Sequence, residues 1–209
     1  MKYITLLLLV FALAACNQKK IINAPNDQFQ LSDIPLHKGM SVTLFVGDEL
    51  EGQEPYRDTV IMDYIAEGIS RNGYDNLVCN VIRKENPGDI VYPTYYYAAD
   101  SLYLVLTSGV DTTRFDIDHE LHLPLFVGKK WASKNGYNHY AVVDNNASYA
   151  GYDGLFEVRC TAISKAKPNL MSRYCYKKGM GCVYHEYIED TLQPKQARLF
   201  SHVIKVEGK

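Results

Sequence analysis

His119-Glu120-Leu121-His122 puts two imidazoles and a carboxylate close together, the residue types from which a metal site or an acid–base pair is built. The zinc-protease arrangement needs His-Glu-x-x-His on a helix, so that both rings leave one face, and here the interval is one residue short. On a strand, positions 119 and 122 point to opposite faces, so no shared metal ion is expected. Asp116, Asp118, Glu120 and His122 read instead as a solvated face. Ser108-Gly109 and Ser164 stand in no Gly-x-Ser-x-Gly elbow, and no Gly-rich phosphate loop precedes a helix. The expectation is no catalytic residue, no metal and no cofactor.

Of five cysteines, Cys79, Cys160, Cys175 and Cys182 fall in strand-like or hairpin-like sequence. A two-residue turn at Lys178-Gly179 would pair residue 177 with 180 and so set Cys175 opposite Cys182, a disulfide that an oxidising compartment permits. The alternative leaves all four as buried thiols that act as small apolar residues. The composition also leans to tyrosine, with Tyr 17 against Phe 7 and Trp 1, a ring with a polar tip that suits wet binding surfaces. Tyr92, Tyr95, Tyr96, Tyr97 and Tyr103 form the candidate ligand surface. Consecutive strand residues face opposite ways, so one side of a sheet would display a row of phenols able to stack on a glycan or peptide.

The segment that places these groups in the cell is at the N-terminus. After Lys2, Ile4 to Ala15 is apolar but for Thr5, a run of about 12 residues where a spanning helix needs about 20, which is the form of a secretory signal. Leu13-Ala14-Ala15-Cys16 resembles a bacterial lipobox. That resemblance implies cleavage before Cys16 and lipidation of its thiol, with more than one chain for stable anchoring. Asn17 in place of Asp implies the outer membrane. The lack of an acidic cluster in Asn17-Gln18-Lys19-Lys20 favours the periplasmic leaflet over the cell surface. The expected organisation is a signal peptide (1–15), a lipidated cysteine and flexible tether (16–30) and one β domain (31–209).

That domain reads as strands throughout. Ser41 to Val46, Thr59 to Ile65, Leu77 to Arg83, Tyr92 to Tyr97 and Leu102 to Thr107 are rich in Val, Ile, Leu, Tyr and Thr and are divided by turn signals, Arg71-Asn72-Gly73 and Pro87-Gly88-Asp89 being the clearest. Arg114 to Leu123 alternates, which predicts one buried and one wet face. Further runs follow at 141–143, 155–163, 172–176, 182–188 and 199–206. The prediction is an all-β domain, an antiparallel meander of about ten strands forming a curved half-barrel or open sandwich. Only residues 61–70 are ambiguous between strand and helix. Trp131, the only Trp, is expected to plug the core at a sheet corner. With 209 residues, 47% hydrophobic, 22% charged and a net charge of -2, the chain has one core and no field to attract nucleic acid.

Three stretches carry a family resemblance: Leu123-Pro124-Leu125-Phe126-Val127-Gly128-Lys129-Lys130-Trp131, then Gly154-Leu155-Phe156, then Tyr176-Lys177-Lys178-Gly179-Met180-Gly181-Cys182-Val183. In order and spacing they resemble the Pro-Leu…Gly-x-x-Trp step, the Gly-x-Phe strand entry and the Tyr-x-x-Gly-Val-Gly-Leu-Val hairpin of uncharacterised Bacteroidota-type envelope lipoproteins. Met180 and Cys182 depart from the usual Val and Leu. The resemblance implies a curved antiparallel sheet akin to lipoprotein carriers, and no activity. These readings lead to an outer-membrane-anchored lipoprotein with a non-enzymatic binding or envelope-maintenance role, holding an apolar or glycan ligand in a curved sheet. An accessory subunit of an envelope complex is the alternative, ahead of a hydrolase.

Replacing Cys16 with Ser should release the protein from the membrane fraction or leave an unprocessed precursor. Fractionation and intact-mass measurement check this, and a variant still recovered as mature, detergent-requiring lipoprotein would refute the lipobox reading.

Overall fold

The computed structural model describes residues 28–50, 54–83, 93–107, 114–134, 136–162, 171–188 and 197–208. The described residues form twelve strands: β1 (Ser41–Leu50), β2 (Arg57–Arg71), β3 (Tyr74–Arg83), β4 (Thr94–Ala99), β5 (Leu102–Thr107), β6 (Asp116–His122), β7 (Lys130–Ala132), β8 (Asn138–Tyr149), β9 (Tyr152–Ala162), β10 (Met171–Lys177), β11 (Gly181–Ile188) and β12 (Ala197–Glu207). Every pairing is antiparallel and all twelve belong to one sheet, in the order β6-β5-β4-β3-β2-β1-β12-β11-β10-β9-β8-β7. The all-β antiparallel meander is therefore as expected, and the ambiguous run 61–70 is strand. The three-residue β7 has no counterpart among the expected runs.

Two-residue turns set the long hairpins. Asn72-Gly73 (φ +53 and +83) joins β2 to β3, and Ala150-Gly151 (φ +51 and +83) joins β8 to β9. Both central residues are left-handed, the conformation whose twist matches that of the flanking strands. The expected Pro87-Gly88-Asp89 turn lies outside the described residues.

The alternation expected over Arg114 to Leu123 is corrected by a bulge. Val105 pairs with His119 and Leu106 with Ile117, so Asp118 is an extra residue in β6. A bulge reverses which parity faces which side. Phe115 accordingly packs in a small cluster with Leu77, Cys79, Tyr95, Leu104 and Leu106, while Leu121 and Leu123 lie in the main core. There is no clean wet face either, because His119, Glu120 and Leu121 are all buried.

The main core gathers Tyr96 of β4, Trp131 of β7, Val158 of β9 and Val203 of β12, which requires the sheet to be rolled until distant strands face one another. The roll stops just short of a backbone-paired barrel. Its edge strands β6 and β7 are joined instead by a side chain, the indole Nε1 of Trp131 donating to the Glu120 carbonyl at 3.1 Å. Trp131 is thus part of the main core, as expected, but at the seam between the two edge strands.

Phe29, in the stretch expected as tether, packs with the strands. Phe29 is fully buried and bridges Leu125 through two backbone hydrogen bonds of 3.1 and 2.8 Å, with its ring against Phe156 and Tyr176 at 5.7 and 5.6 Å. A short 3-10 turn, Leu31–Asp33, follows, and the Asp33 carbonyl accepts the Gly179 N–H at 2.9 Å.

That contact lies at the β10–β11 hairpin, where the expected register is also corrected. Lys177 pairs with Gly181, Tyr176 with Cys182 and Cys175 with Tyr184. The turn takes in residues 178–180, and a register shift follows between Cys175 and Tyr176, so Cys175 does not lie opposite Cys182. Cys79, Cys160, Cys175 and Cys182 are free thiols.

Gly181 holds φ +75, and a Cβ there would reach Ile34 Cγ2 at 3.7 Å. A side chain in this left-handed position costs about 1–3 kcal/mol, and each kcal/mol moves the midpoint by about 2–4 °C at this size. Gly181→Val should therefore melt at least a few degrees lower by calorimetry, and reductant should leave the difference unchanged because no Cys175–Cys182 bond contributes.

Candidate functional site

The rolled sheet encloses a cavity of about 150 Å³. β1 contributes Val42 and Leu44, β2 Met62 and Tyr64, β4 Tyr96, β5 Tyr103 and Val105. Across from them stand Tyr174 and Tyr176 of β10 and Cys182 and His185 of β11. Ile34, Pro35 and Leu36, just past the 3-10 turn, add an apolar wall from the N-terminal segment.

A second, wider cavity of about 440 Å³ continues along the same central strands. Val46 follows Val42 and Leu44 along β1, and Ser201 and Leu199 follow Val203 along β12. His185 belongs to both cavities and is the wall between them. At the second cavity Tyr56 and Leu199 are 52% and 48% exposed, which makes an apolar rim open to solvent.

A third crevice, about 470 Å³, runs between the sheet edges beside Glu120, Ser133, Lys134 and Tyr140. The Glu120 carboxylate is already engaged there, by the His122 ring Nε2 at 2.6 Å and the Lys134 backbone N–H at 3.4 Å. The His-Glu-x-His run thus fastens β6 to β7, with His119 inside and His122 half-exposed against Trp131 at 5.8 Å.

Inside the first cavity the polar atoms are organised. Asn80, 1% exposed, donates its Nδ2 to the Tyr96 hydroxyl at 2.8 Å, and Tyr96 stands 5.5 Å from the Tyr64 ring. The Tyr176 hydroxyl and His119 Nε2 are 2.5 Å apart. His119 stacks on Tyr174 at 3.9 Å and Tyr174 on His185 at 4.4 Å. His119 Nδ1 and His185 Nε2 are buried with no hydrogen-bond partner among the described residues. Burial, with His185 nearby, pushes the His119 imidazole down to about 3, and burial pushes His185 down to about 4, so both rings are neutral at pH 7. Burial raises the Asp118 carboxyl above its ordinary value and the Cys182 thiol to about 12. The accessible thiol of Cys182 therefore lines the cavity in its protonated form, a poor nucleophile.

The candidate tyrosines divide by face. Tyr96 and Tyr103 line the cavity. Tyr95 takes a hydrogen bond from Arg71 Nη1 at 2.7 Å in the second cluster, where Tyr97 packs edge-on against Tyr74 at 5.1 Å. Tyr92 and Cys16 lie outside the described residues. Tyr95, Tyr96 and Tyr103 are buried, so the phenols line an interior rather than display an exposed row. Sequence reasoning missed Asp118, His185 and the Ile34–Leu36 wall as site residues. Only the last left a signal, an Ile-Pro-Leu run beside a polar tether.

No family model and no curated protein matches the chain. Among solved structures, it is similar to an exported Bacteroides fragilis protein described as having a YmcC-like fold, at 9% identity and TM-score 0.42 over 84% of this chain and 98% of that one. It is similar also to a LolA superfamily protein of Nitrosomonas europaea, at 7% identity and TM-score 0.32 over 86% and 90%. A DUF1329 family protein of Desulfovibrio piger matches at 9% identity and TM-score 0.33 over 85% and 88%.

The neutral imidazoles set a pH dependence. The unfolded chain takes up protons below the ordinary histidine value of about 6.5, while folded His119 refuses one until about 3. Its share of stability is thus full above 6.5 and falls as pH drops, by about 2 kcal/mol between pH 7 and pH 5. Denaturant titrations at the two pH values should show this fall together with a similar one from His185, and His119→Phe should remove about half of the total.

Proposed function

We propose that this protein is a lipid-anchored binding protein of the bacterial outer membrane that holds an apolar ligand inside its rolled sheet. The observation that carries this reading is the interior itself: a largely apolar cavity and, sharing His185 with it, a second chamber with an exposed apolar rim. Sites of this form, apolar with a few placed polar groups, are the usual form of small-molecule sites. The role is binding rather than catalysis, since the cavity thiol is held protonated and the Glu120 carboxylate is spent on joining the sheet edges. An apolar ligand is favoured over a glycan because Tyr96 and Tyr103 face inward and Tyr95 and Tyr97 pack in the second cluster, so that the described members of the tyrosine cluster form no open platform. Tyr96 and Tyr103 are the contacts proposed from the original cluster. The lipobox supports anchoring through acylated Cys16, and the residues behind it support the periplasmic face. The tether would let the domain meet its ligand away from the lipid headgroups.

The test uses the full lipoprotein in nanodiscs, with empty nanodiscs as background. The fluorescent probe 1-N-phenylnaphthylamine should bind at one site per chain. Leu44→Trp, which puts an indole into the first cavity, should weaken binding at least tenfold while leaving the circular dichroism spectrum unchanged. Equal binding by that variant, or none by the wild type, would contradict the proposal.

A further inference from the structure

The two cavities differ from plain hydrocarbon pockets in their charge and in their unmet hydrogen-bonding groups. Among their described lining residues there is no Lys or Arg. The charged side chains are Asp118 in the first and Asp48 in the second. An anionic headgroup at the inner end of the first cavity would therefore lie beside the Asp118 carboxylate with no cation in that lining, while Arg57, over Phe200 at the second, is already paired with Glu49 at 2.9 Å. At the junction stands the His119–Tyr174–His185 stack. Among the described residues, Nδ1 of His119, which is 3% exposed, and Nε2 of His185 have no hydrogen-bond partner. Buried polar atoms without partners are rare and call for an explanation. A pure hydrocarbon would leave them unmet, whereas a hydroxyl both donates and accepts and so can serve either tautomer.

We infer that the ligand is an uncharged, hydroxyl-bearing amphiphile, whose chain lies along β1, β11 and β12 and whose hydroxyl is bound at the His119–Tyr174–His185 stack. This deepens the proposed binding role and rests on it. Entry is through the open chamber, past Asp48, Tyr56, Tyr187 and Ser201, and His185, which lines both cavities, stands where the chamber meets the first cavity. The imidazoles are suited to this because burial keeps them uncharged, so they demand no counter-ion from the ligand.

Displacement of 1-N-phenylnaphthylamine from the full lipoprotein in nanodiscs at pH 7 tests this with four ligands of one chain length: 1-octanol, octane, octanoate and octylamine. Octanol should displace the probe at concentrations at least tenfold below the other three. His185→Phe and His119→Phe each keep an aromatic ring in the stack, and each should erase the gap between octanol and octane while leaving octane itself unchanged. Equal displacement by octanol and octane in the wild type, a gap that survives in both variants, or tighter binding of octanoate or octylamine would overturn the inference while leaving an apolar site in place. Failure of the probe and of all four ligands to bind would instead remove the binding role and this inference together.

Discussion

The shortness of the link between β6 and β7 governs this structure. These strands are consecutive in the chain yet form the two opposite edges of a twelve-stranded sheet. Laid flat, eleven inter-strand steps of about 4.8 Å would hold them about 53 Å apart. Residues 123–129 connect them, and even fully extended that stretch reaches at most about 28 Å. The sheet must therefore roll until its edges come together, in the sense that strand twist already favours. The same order places β1 and β12 at the centre of the sheet, so the terminal strands of the domain are its best-supported part. Each edge is then protected without a full ladder: Trp131 satisfies the Glu120 carbonyl, and Glu120 holds His122 and Lys134.

A roll of this size makes an interior too wide for aliphatic side chains alone to fill, and the tyrosine bias answers that problem. Tyr64, Tyr96, Tyr103, Tyr174 and Tyr176 reach inward from both halves of the sheet. Each brings a hydroxyl into a space where an unpaired polar group costs about 1–3 kcal/mol. Asn80 serves Tyr96 and His119 serves Tyr176, so those costs are offset locally. The opposite face of β9–β11 is held differently, by charge. Arg173 lies between Glu157 and Glu186, both nearly fully buried, and the Tyr149 hydroxyl donates to Glu157 at 3.0 Å. This ties three neighbouring strands together and leaves the inner face to the cavity.

The parts legible in the sequence were those fixed by local chemistry. Runs of β-branched and aromatic residues marked the strands, and Asn72-Gly73 marked a turn because few other residues tolerate two left-handed positions. β7 was not legible, since Lys130-Trp131-Ala132 is too short to show a period and is held in place by its partner β8. The hairpin register was missed because it depends on whether Met180 belongs to the turn or to the strand. The composition of 177–182 does not decide that, and the conformation of Gly181 does. For the site, period 2 correctly split Tyr95 and Tyr97 from Tyr96. It could not say which face would be enclosed, because that follows from the roll and hence from contacts between residues far apart in the chain.

The bulge at Asp118 shows how fold and site depend on one residue. Had β6 kept the strict alternation of its sequence, Phe115 and Ile117 would share the parity of His119 and face the cavity. The Phe115 ring would then take up much of the space now open. The extra residue instead turns Phe115 to the other face, where its ring meets Tyr95 at 5.0 Å and Arg71 lies over it at 5.6 Å. It also sets Asp118 beside His119 on the cavity wall. A bulge forfeits part of the ladder and is found where a strand must re-aim its side chains. Here the re-aiming does two things together: it completes a second small core outside the sheet and it keeps the interior empty. The open space is therefore a consequence of specific backbone geometry rather than of residues too small to fill it.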